Sequence, residues 1–395
     1  MGSTNFCFKP GKLTTLMDFS AGSSGKARTA SFIAANADNF TFACNAFSAQ
    51  AGHTVKLEDG RVFFYQSLNS CAYQHERLEK FYIGPGAAIE LPALLREINE
   101  NGIPDHKLGI HPNVVIIQDK DSAFERGECH LDGTRKDVLG SGTMKSGSTC
   151  HGVGAANARR MLRQPDIRTA KDQPELQKYL CDVSSEIVDR LNAGESGFLE
   201  IAQGWALSLN GRFFPHCTSR NCSVAQSFSD LMLPIKFAGP LIMNGRTWPI
   251  RISSFKYVAE DGRHLTWEEV KSGTSHTVVD ADSGSWYPDQ EEVTWEYVTK
   301  YAGSSTDLTS LTSVTKLPRR VATFSTENLL EAMRYNDTGD DVWLALNFID
   351  HIDSSCSGAR SSGELSPKVY NWFAKHGIKP KFLGTSAMTE DTVIL

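Results

Sequence analysis

Apolar runs and helical patterns alternate along most of the chain. Six stretches read as strands: Leu13–Phe19, Phe40–Ala46, Val114–Gln118, Gly197–Ala202, Ile250–Phe255 and Val342–Phe348. Between them, helical patterns run over Lys26–Ala35, Leu91–Asn101, Leu176–Ala193, Thr326–Tyr335 and Pro367–His376. Strands interleaved with helices predict an α/β fold, with a large, mostly parallel central sheet and flanking helices. The stretch 261–312 breaks the pattern. It is rich in Ser, Thr, Asp and Glu, and Trp267, Trp286, Tyr287 and Trp295 are spaced through it. It is expected to be an insertion or flexible excursion ahead of a functional loop. No internal repeat or low-complexity tail appears, so residues 1–395 are expected to form a single complex domain.

Composition changes this picture little. Of 395 residues, 40% are hydrophobic and 22% charged, ordinary values for a globular chain. The formal net charge of −6 argues against a nonspecific nucleic-acid binder, which needs a basic face. The nine cysteines include no C-x-x-C pair, and Cys217 and Cys222 are too isolated for a zinc ribbon, so reduced thiols are expected. No run approaches the roughly 18 apolar residues of a membrane span. No N-terminal stretch reads as a signal peptide, and a cytoplasmic location is the expectation.

The candidate chemistry begins at Ser20-Ala21-Gly22-Ser23-Ser24-Gly25-Lys26-Ala27-Arg28. A predicted strand runs into this segment and a predicted helix leaves it. A strand, a glycine-rich turn and a helix N-terminus make a phosphate cradle, in which backbone N–H groups and the helix dipole face an anion and Lys26 adds a point charge. The P-loop pattern would place Gly at position 20 and Ser or Thr at 27, where this chain has Ser20 and Ala27, so an ordinary strand-to-helix turn is the competing reading.

Further segments follow in order: Gln50-Ala51-Gly52-His53-Thr54, and Gly147-Ser148-Thr149-Cys150-His151-Gly152-Val153-Gly154 with Arg163 beyond it. Then come Glu200-Ile201-Ala202-Gln203-Gly204, Pro215-His216-Cys217-Thr218-Ser219-Arg220-Asn221, Ser313-Val314-Thr315-Lys316-Leu317-Pro318-Arg319-Arg320, Asn347-Phe348-Ile349-Asp350 and Gly384-Thr385-Ser386-Ala387. Taken singly, each has a bland reading: a solvated histidine, a flexible surface loop, ion-paired arginines, a strand end capped by an aspartate.

Taken together, in this order and spacing, they resemble the adenylosuccinate synthetases from about residue 13 to the C-terminus. That family reads Gly-Asp-Glu-Gly-Lys-Gly-Lys at the first loop and Asn-Ala-Gly-His-Thr at the second. The resemblance implies a P-loop NTPase-like sheet and a two-step ligation. A base takes the N1 proton of a purine monophosphate, O6 is phosphorylated by a nucleoside triphosphate, and the amine of L-aspartate displaces that phosphate at C6. It implies catalytic roles for Ser23, Lys26, His53 and Gln203, with His53 at the transferring phosphoryl group. Ser23, Ser148, Thr149, Arg163, Gln203 and Thr218 would bind the monophosphate. Ser23, Ser24, Gly25, Lys26, Ala27, Gly52, His53, Thr54, Asn347, Phe348, Asp350 and Gly384 would bind the triphosphate. Ser313, Val314, Thr315 and Arg319 would hold L-aspartate, and Mg²⁺ would sit on Gly52 and Ser313. Arg163 would reach into the neighbouring subunit's site, which implies a homodimer; arginine suits this role because its planar fork binds phosphate oxygens in a bidentate way.

Three departures bear on the substrate. The family's loop aspartate, the N1 base, is Ser23 here, and a hydroxyl is a poor base near neutral pH. The first arginine of the family's aspartate loop falls on Leu317, which would suit a sugar without a 2′-hydroxyl. The lysine that helps read guanine in GTP is Phe348. A phage branch of the family carries Gly-Ser-Ser/Thr-Gly-Lys at this loop and joins aspartate to dGMP, and it tends to use ATP in place of GTP. The resemblance to that branch implies dGMP, L-aspartate and ATP (or dATP) as substrates. Two alternatives stay open: a divergent enzyme acting on IMP with GTP, and an inactive nucleotide-binding homologue, to which Ala27, Arg28 and Leu317 would point.

Overall fold

In the computed structural model, which describes residues 6, 8–134, 150–260, 265–280, 282–312 and 316–395, Leu13–Asp18 (β1) is buried at every position. It forms the middle of a nine-stranded sheet. The other strands, in chain order, are Phe42–Asn45 (β2), Lys80–Ile83 (β3), Leu108–Ile110 (β4), Gly197–Gly204 (β5), Ala238–Arg246 (β6), Val342–Asn347 (β7), Phe382–Gly384 (β8) and Thr392–Ile394 (β9). Across the sheet they run β9-β8-β7-β6-β1-β5-β2-β3-β4. Every pairing is parallel except β8 with β9.

The longer helices are Lys26–Asn36 (α1), Leu91–Glu100 (α2), Val153–Met161 (α3), Val183–Asn192 (α4), Trp295–Ala302 (α5), Thr326–Tyr335 (α6) and Pro367–His376 (α7). Two apolar clusters cover the sheet. Ala30 and Ile33 of α1 join one with Leu16, while Val183 and Ile187 of α4, Leu329 of α6 and Trp372 of α7 join the other with Leu13 and Met17. A sheet covered on both faces explains why its strands read as continuous apolar runs rather than alternating ones. No helix among the described residues is long and apolar enough to cross a membrane.

Where structure and sequence pattern differ, local competition decides. The helix expected over Leu176–Ala193 is broken: Pro174–Tyr179 forms a 3-10 turn, and α4 starts only after Asp182, whose carboxylate caps the Ser185 N–H at 3.1 Å. A bridge between Leu180 and Ile110 draws the intervening residues to the sheet edge. The run Val114–Gln118 gives only Val115–Ile116, which pairs with Ala88–Ile89 and Arg168–Thr169 in a separate small sheet. Ile250–Phe255 splits: Ile250–Arg251 pairs with Arg320–Ala322, and Phe255–Val258 forms a hairpin with Thr277–Asp280. The pattern also missed β3, β4, β6, β8 and β9. The nine residues of β6 are all buried, yet they include Gly239, Pro240, Asn244 and Arg246, residues that read as loop. Within the polar stretch, the Thr277–Asp280 strand is exposed, whereas Trp295 and Val298 of α5 pack with Trp248 and Ile250.

Candidate active site

The C-terminal ends of β1, β5, β6 and β7 meet at one place, where open parallel sheets bind ligands. Their register sets Asp18 beside both Gly204 and Asn244, and Arg246 beside Asn347. After β1 the chain turns through Gly22, Ser23 and Gly25, all left-handed with φ of 86°, 49° and 78°. Gly25 caps α1, and a β-carbon there would meet Asn347 Cγ at 2.9 Å, so the loop needs glycine on both counts. The strand, glycine turn and helix N-terminus follow in the order the sequence predicts, a geometry that suits an anion.

A buried polar network holds that loop. Asp18 accepts from the Ser20 N–H at 2.7 Å, the Ser20 hydroxyl at 2.8 Å and the Ser24 hydroxyl. Asn244 Nδ2 donates to the Ser24 carbonyl (3.2 Å) and hydroxyl (2.7 Å). Asn347 Nδ2 donates to the Ser24 carbonyl at 2.8 Å and to Asn244 Oδ1 at 2.9 Å, while its own Oδ1 accepts from Arg28 at 3.1 Å. Asn347 is therefore a positioning residue for the loop; its side chain is spent before any base arrives. Gly384 is likewise a close-packing position, since a β-carbon would lie 2.1 Å from Asn347 Oδ1. Arg28, one of the departures from the family pattern, is buried and tied to the Asp391 carbonyl and to the Thr392 hydroxyl at 2.7 Å. Ala27 is buried in α1 and contributes only backbone.

On the β5 side, Lys26 donates from Nζ to the Gln203 carbonyl, and Gln203 is itself left-handed, with φ 60°. Gly204 fits only because it lacks a side chain: a β-carbon would lie 2.1 Å from the Ser20 carbonyl. His53 begins the hairpin His53–Lys56/Val62–Tyr65. Its Nδ1 lies 2.9 Å from Glu200 Oε1, and its ring stacks on Phe47 at 4.3 Å. Its Nε2 is buried without a partner. Glu200 also accepts from the Ser70 N–H and hydroxyl, each at 2.9 Å. Burial alone would raise its pKa, but the charge and hydrogen bond of His53, the Ser70 bonds and Lys26 hold it below the usual carboxylate value. Gln50 Nε2 donates to the Thr218 hydroxyl at 3.2 Å, which brings Thr218 to the His53 loop. Gly52 and Thr54 are exposed beside the buried histidine.

Phe348 is left-handed, with φ 64°, and Arg246 lies over its ring at 3.9 Å. Asp350 is half-buried, its Oδ1 has no partner, and burial raises its pKa to about 6. Arg319 donates to the Ser310 hydroxyl at 3.1 Å, and burial lowers its pKa to about 10. Ser23 is exposed at the mouth, its carbonyl accepting from Arg246 Nη1 at 3.0 Å. Arg163 stands at the exposed end of α3, after Met161 and Leu162, which are 83% and 62% exposed. Ser148, Thr149, Ser313, Val314 and Thr315 lie outside the described residues.

Sequence reasoning thus brought Ser23, Ser24, Gly25, Lys26, His53, Gln203 and Thr218 to one place. It quoted Glu200 without giving it work, and it passed over Asp18, Asn244 and Arg246. A polar residue ending an otherwise apolar buried strand was the available signal for Asp18; Asn244 and Arg246 sit on the strand that the pattern missed.

Comparison with known proteins finds relatives over most of the chain. The adenylosuccinate synthetase family model matches residues 19–172. The N6-succino-2-amino-2′-deoxyadenylate synthase of Vibrio phage phiVC8 is 30% identical over 343 residues, 85% of each chain. The enzyme of the same name from Salmonella phage PMBT28 is 30% identical over 361 residues, 87% of this chain and 86% of that one. Among solved structures, the cyanophage S-2L succinoaminodeoxyadenylate synthetase, bound to dGMP and to dATP as an energy donor, superposes with a TM-score of 0.73 at 25% identity. That match covers 97% of this chain and 95% of the other.

Proposed function

The chain belongs to the adenylosuccinate synthetase family, and we propose that it is the ligase that joins L-aspartate to C6 of dGMP at the expense of ATP or dATP. The product is N6-succino-2-amino-2′-deoxyadenylate, the precursor of 2-aminoadenine for DNA. The observation that carries this reading is Ser23, a small neutral hydroxyl exposed at the loop position where the family has an acid. Guanine differs from hypoxanthine by a 2-amino group beside N1. A hydroxyl leaves room for that group and accepts its hydrogen bond, where a carboxylate would crowd it.

The residues divide the work as follows. The loop Ser23–Gly25, the α1 N-terminus and Lys26 bind the triphosphate's anionic end. His53 is oriented by Glu200 and fixed against Phe47, so that Nε2 faces the transferring group. As N1 of dGMP gives up its proton to water, O6 attacks the terminal phosphorus, and the nucleoside diphosphate leaves. The aspartate amine then attacks C6, loses a proton and expels phosphate. Gln203 and Thr218 hold the monophosphate, joined by Arg163 from the partner of a homodimer. Phe348 stacks on the triphosphate's base beside Asp350. Arg319 grips aspartate.

Magnesium fits the same mouth. The described residues contain no cluster of three or more His, Cys, Asp or Glu, and Mg²⁺ held by phosphate oxygens, waters and a backbone carbonyl needs none. The exposed Gly52 beside His53 would supply that carbonyl. When bound, the ion neutralises charge on the phosphates.

The test is aspartate-dependent phosphate release with Mg²⁺, crossing dGMP, GMP and IMP against ATP, dATP and GTP. Turnover with dGMP and an adenine triphosphate is the expected result. Turnover confined to IMP with GTP, or silence throughout, would overturn the proposal.

A further inference from the structure

We propose that the amino-acid subsite is a two-arginine grip, in which Arg246 at the end of β6 and Arg319 each take one carboxylate of the dicarboxylate substrate. The inference rests on the reading that places L-aspartate at Arg319.

Arg246 is 1% exposed, a fully buried cation. Among the described residues its guanidinium donates one hydrogen bond, from Nη1 to the Ser23 carbonyl, while Nε and Nη2 are buried without a partner. The guanidinium is backed by the Phe348 ring at 3.9 Å and the Trp295 ring at 5.9 Å. Among the described residues no carboxylate pairs with it. Asp18 is engaged by three donors of the loop, and Asp350 Oδ1 has no partner at all. Arg319 bears on Arg246 as a like charge; burial first, and that charge second, lower the pKa of Arg246 to about 9. Trp295 links the two arginines: its ring lies under Arg246, and its Nε1 donates to the Arg319 carbonyl at 2.7 Å.

Among the described residues the Arg319 side chain has no carboxylate partner either, only the Ser310 hydroxyl. Two of its neighbours are engaged elsewhere. Arg320 is committed to both oxygens of Glu292, at 2.9 and 2.5 Å, and to the Gly284 carbonyl, and Leu317 is a buried apolar residue. The segment 316–320 therefore presents one uncommitted guanidinium, while a dicarboxylate brings two negative groups. Two neighbouring guanidiniums, Arg246 buried and Arg319 half-buried, with no hydrogen-bonded carboxylate on either among the described residues, are costly until an anion arrives between them, and guanidinium forks match carboxylates in a bidentate way. The phosphate cradle has its own cation, Lys26, while Arg246 lies beside Arg319 and over Trp295, whose Nε1 holds the Arg319 carbonyl; this placement favours a carboxylate over a phosphoryl oxygen as its ligand.

The experiment is steady-state kinetics on the full chain and its R246M, R246K and R319M variants, varying L-aspartate, ATP and dGMP in turn, with folding checked by thermal denaturation. R319M and R246M are each expected to raise the KM for L-aspartate tenfold or more, while the KM values for ATP and dGMP stay within twofold. R246K keeps the charge and loses the fork; it is expected to fall between the wild type and R246M. If R246M does not fold, R246K carries the test, with a rise of threefold or more in the aspartate KM expected. An aspartate KM within twofold of wild type in the folded Arg246 variant, or a rise in the ATP KM instead, overturns the grip. If R319M leaves the aspartate KM unchanged, the underlying placement of aspartate is what fails. A rise in R319M without one in the Arg246 variants removes the grip alone.

Discussion

Nδ1 of His53 lies 2.9 Å from Oε1 of Glu200, and both side chains are buried. The contact fixes which way the imidazole faces. With Nδ1 turned to the carboxylate and the ring flat on Phe47, the unpartnered Nε2 is the nitrogen left for the substrate.

Glu200→Gln should therefore lower turnover with little change in substrate affinity. A charge-assisted hydrogen bond of this kind contributes about 2 kcal/mol, equivalent to roughly a 30-fold loss in kcat. Steady-state kinetics at saturating dGMP, aspartate and triphosphate measures it; an unchanged kcat would remove Glu200 from the machinery.

Asp350 gives a pH signature. Burial raises its pKa to about 6 in the folded chain, against about 4 for a free carboxyl. Between those values the folded state holds a proton that the unfolded state has released, so stability falls as pH rises from about 4 to about 6. Above that window the buried charge costs on the order of 2–3 kcal/mol. Asp350→Asn should be more stable than wild type at pH 7, with the gain vanishing below about pH 4. Denaturant unfolding at several pH values decides it, and parallel curves for the two proteins would contradict the burial argument.

Arg163, exposed beyond α3, is expected to act across the dimer. Arg163→Ala and Lys26→Ala should each be nearly inactive alone. Mixed at equal concentration and allowed to exchange subunits, they should recover about a quarter of wild-type activity, because half the dimers are mixed and each holds one complete site. No recovery, with subunit exchange shown independently, would place Arg163 outside the partner's site.

Ser23→Asp restores the family's acid in a position where the wild-type side chain is exposed. The ratio of kcat/KM for IMP over that for dGMP is expected to rise tenfold or more, since the carboxylate is a better base and crowds the 2-amino group. Improved use of dGMP would refute the steric account of the serine.

The sequence by itself determined the α/β class, the loop Gly22–Lys26, and the order of the segments around His53, Gln203 and Thr218. Each of these is a local matter: strand length, a glycine demanded by positive φ, and residues close together in the chain. What it could not determine depends on neighbours distant along the chain. The strand Ala238–Arg246 looks like a loop until β1 and β7 bury it from both sides. Leu176–Ala193 looks like one helix until Leu180 is drawn to the sheet edge. Asn347 looks like a base contact until parallel pairing sets it against Arg246 and Gly384, next to Ser24, where its amide is consumed. The same pairing buries Arg246 beside Phe348 with two N–H groups unspent. A side chain's hydrogen-bond account closes only when every neighbour is known, and in a parallel sheet those neighbours come from strands reached only through a crossover.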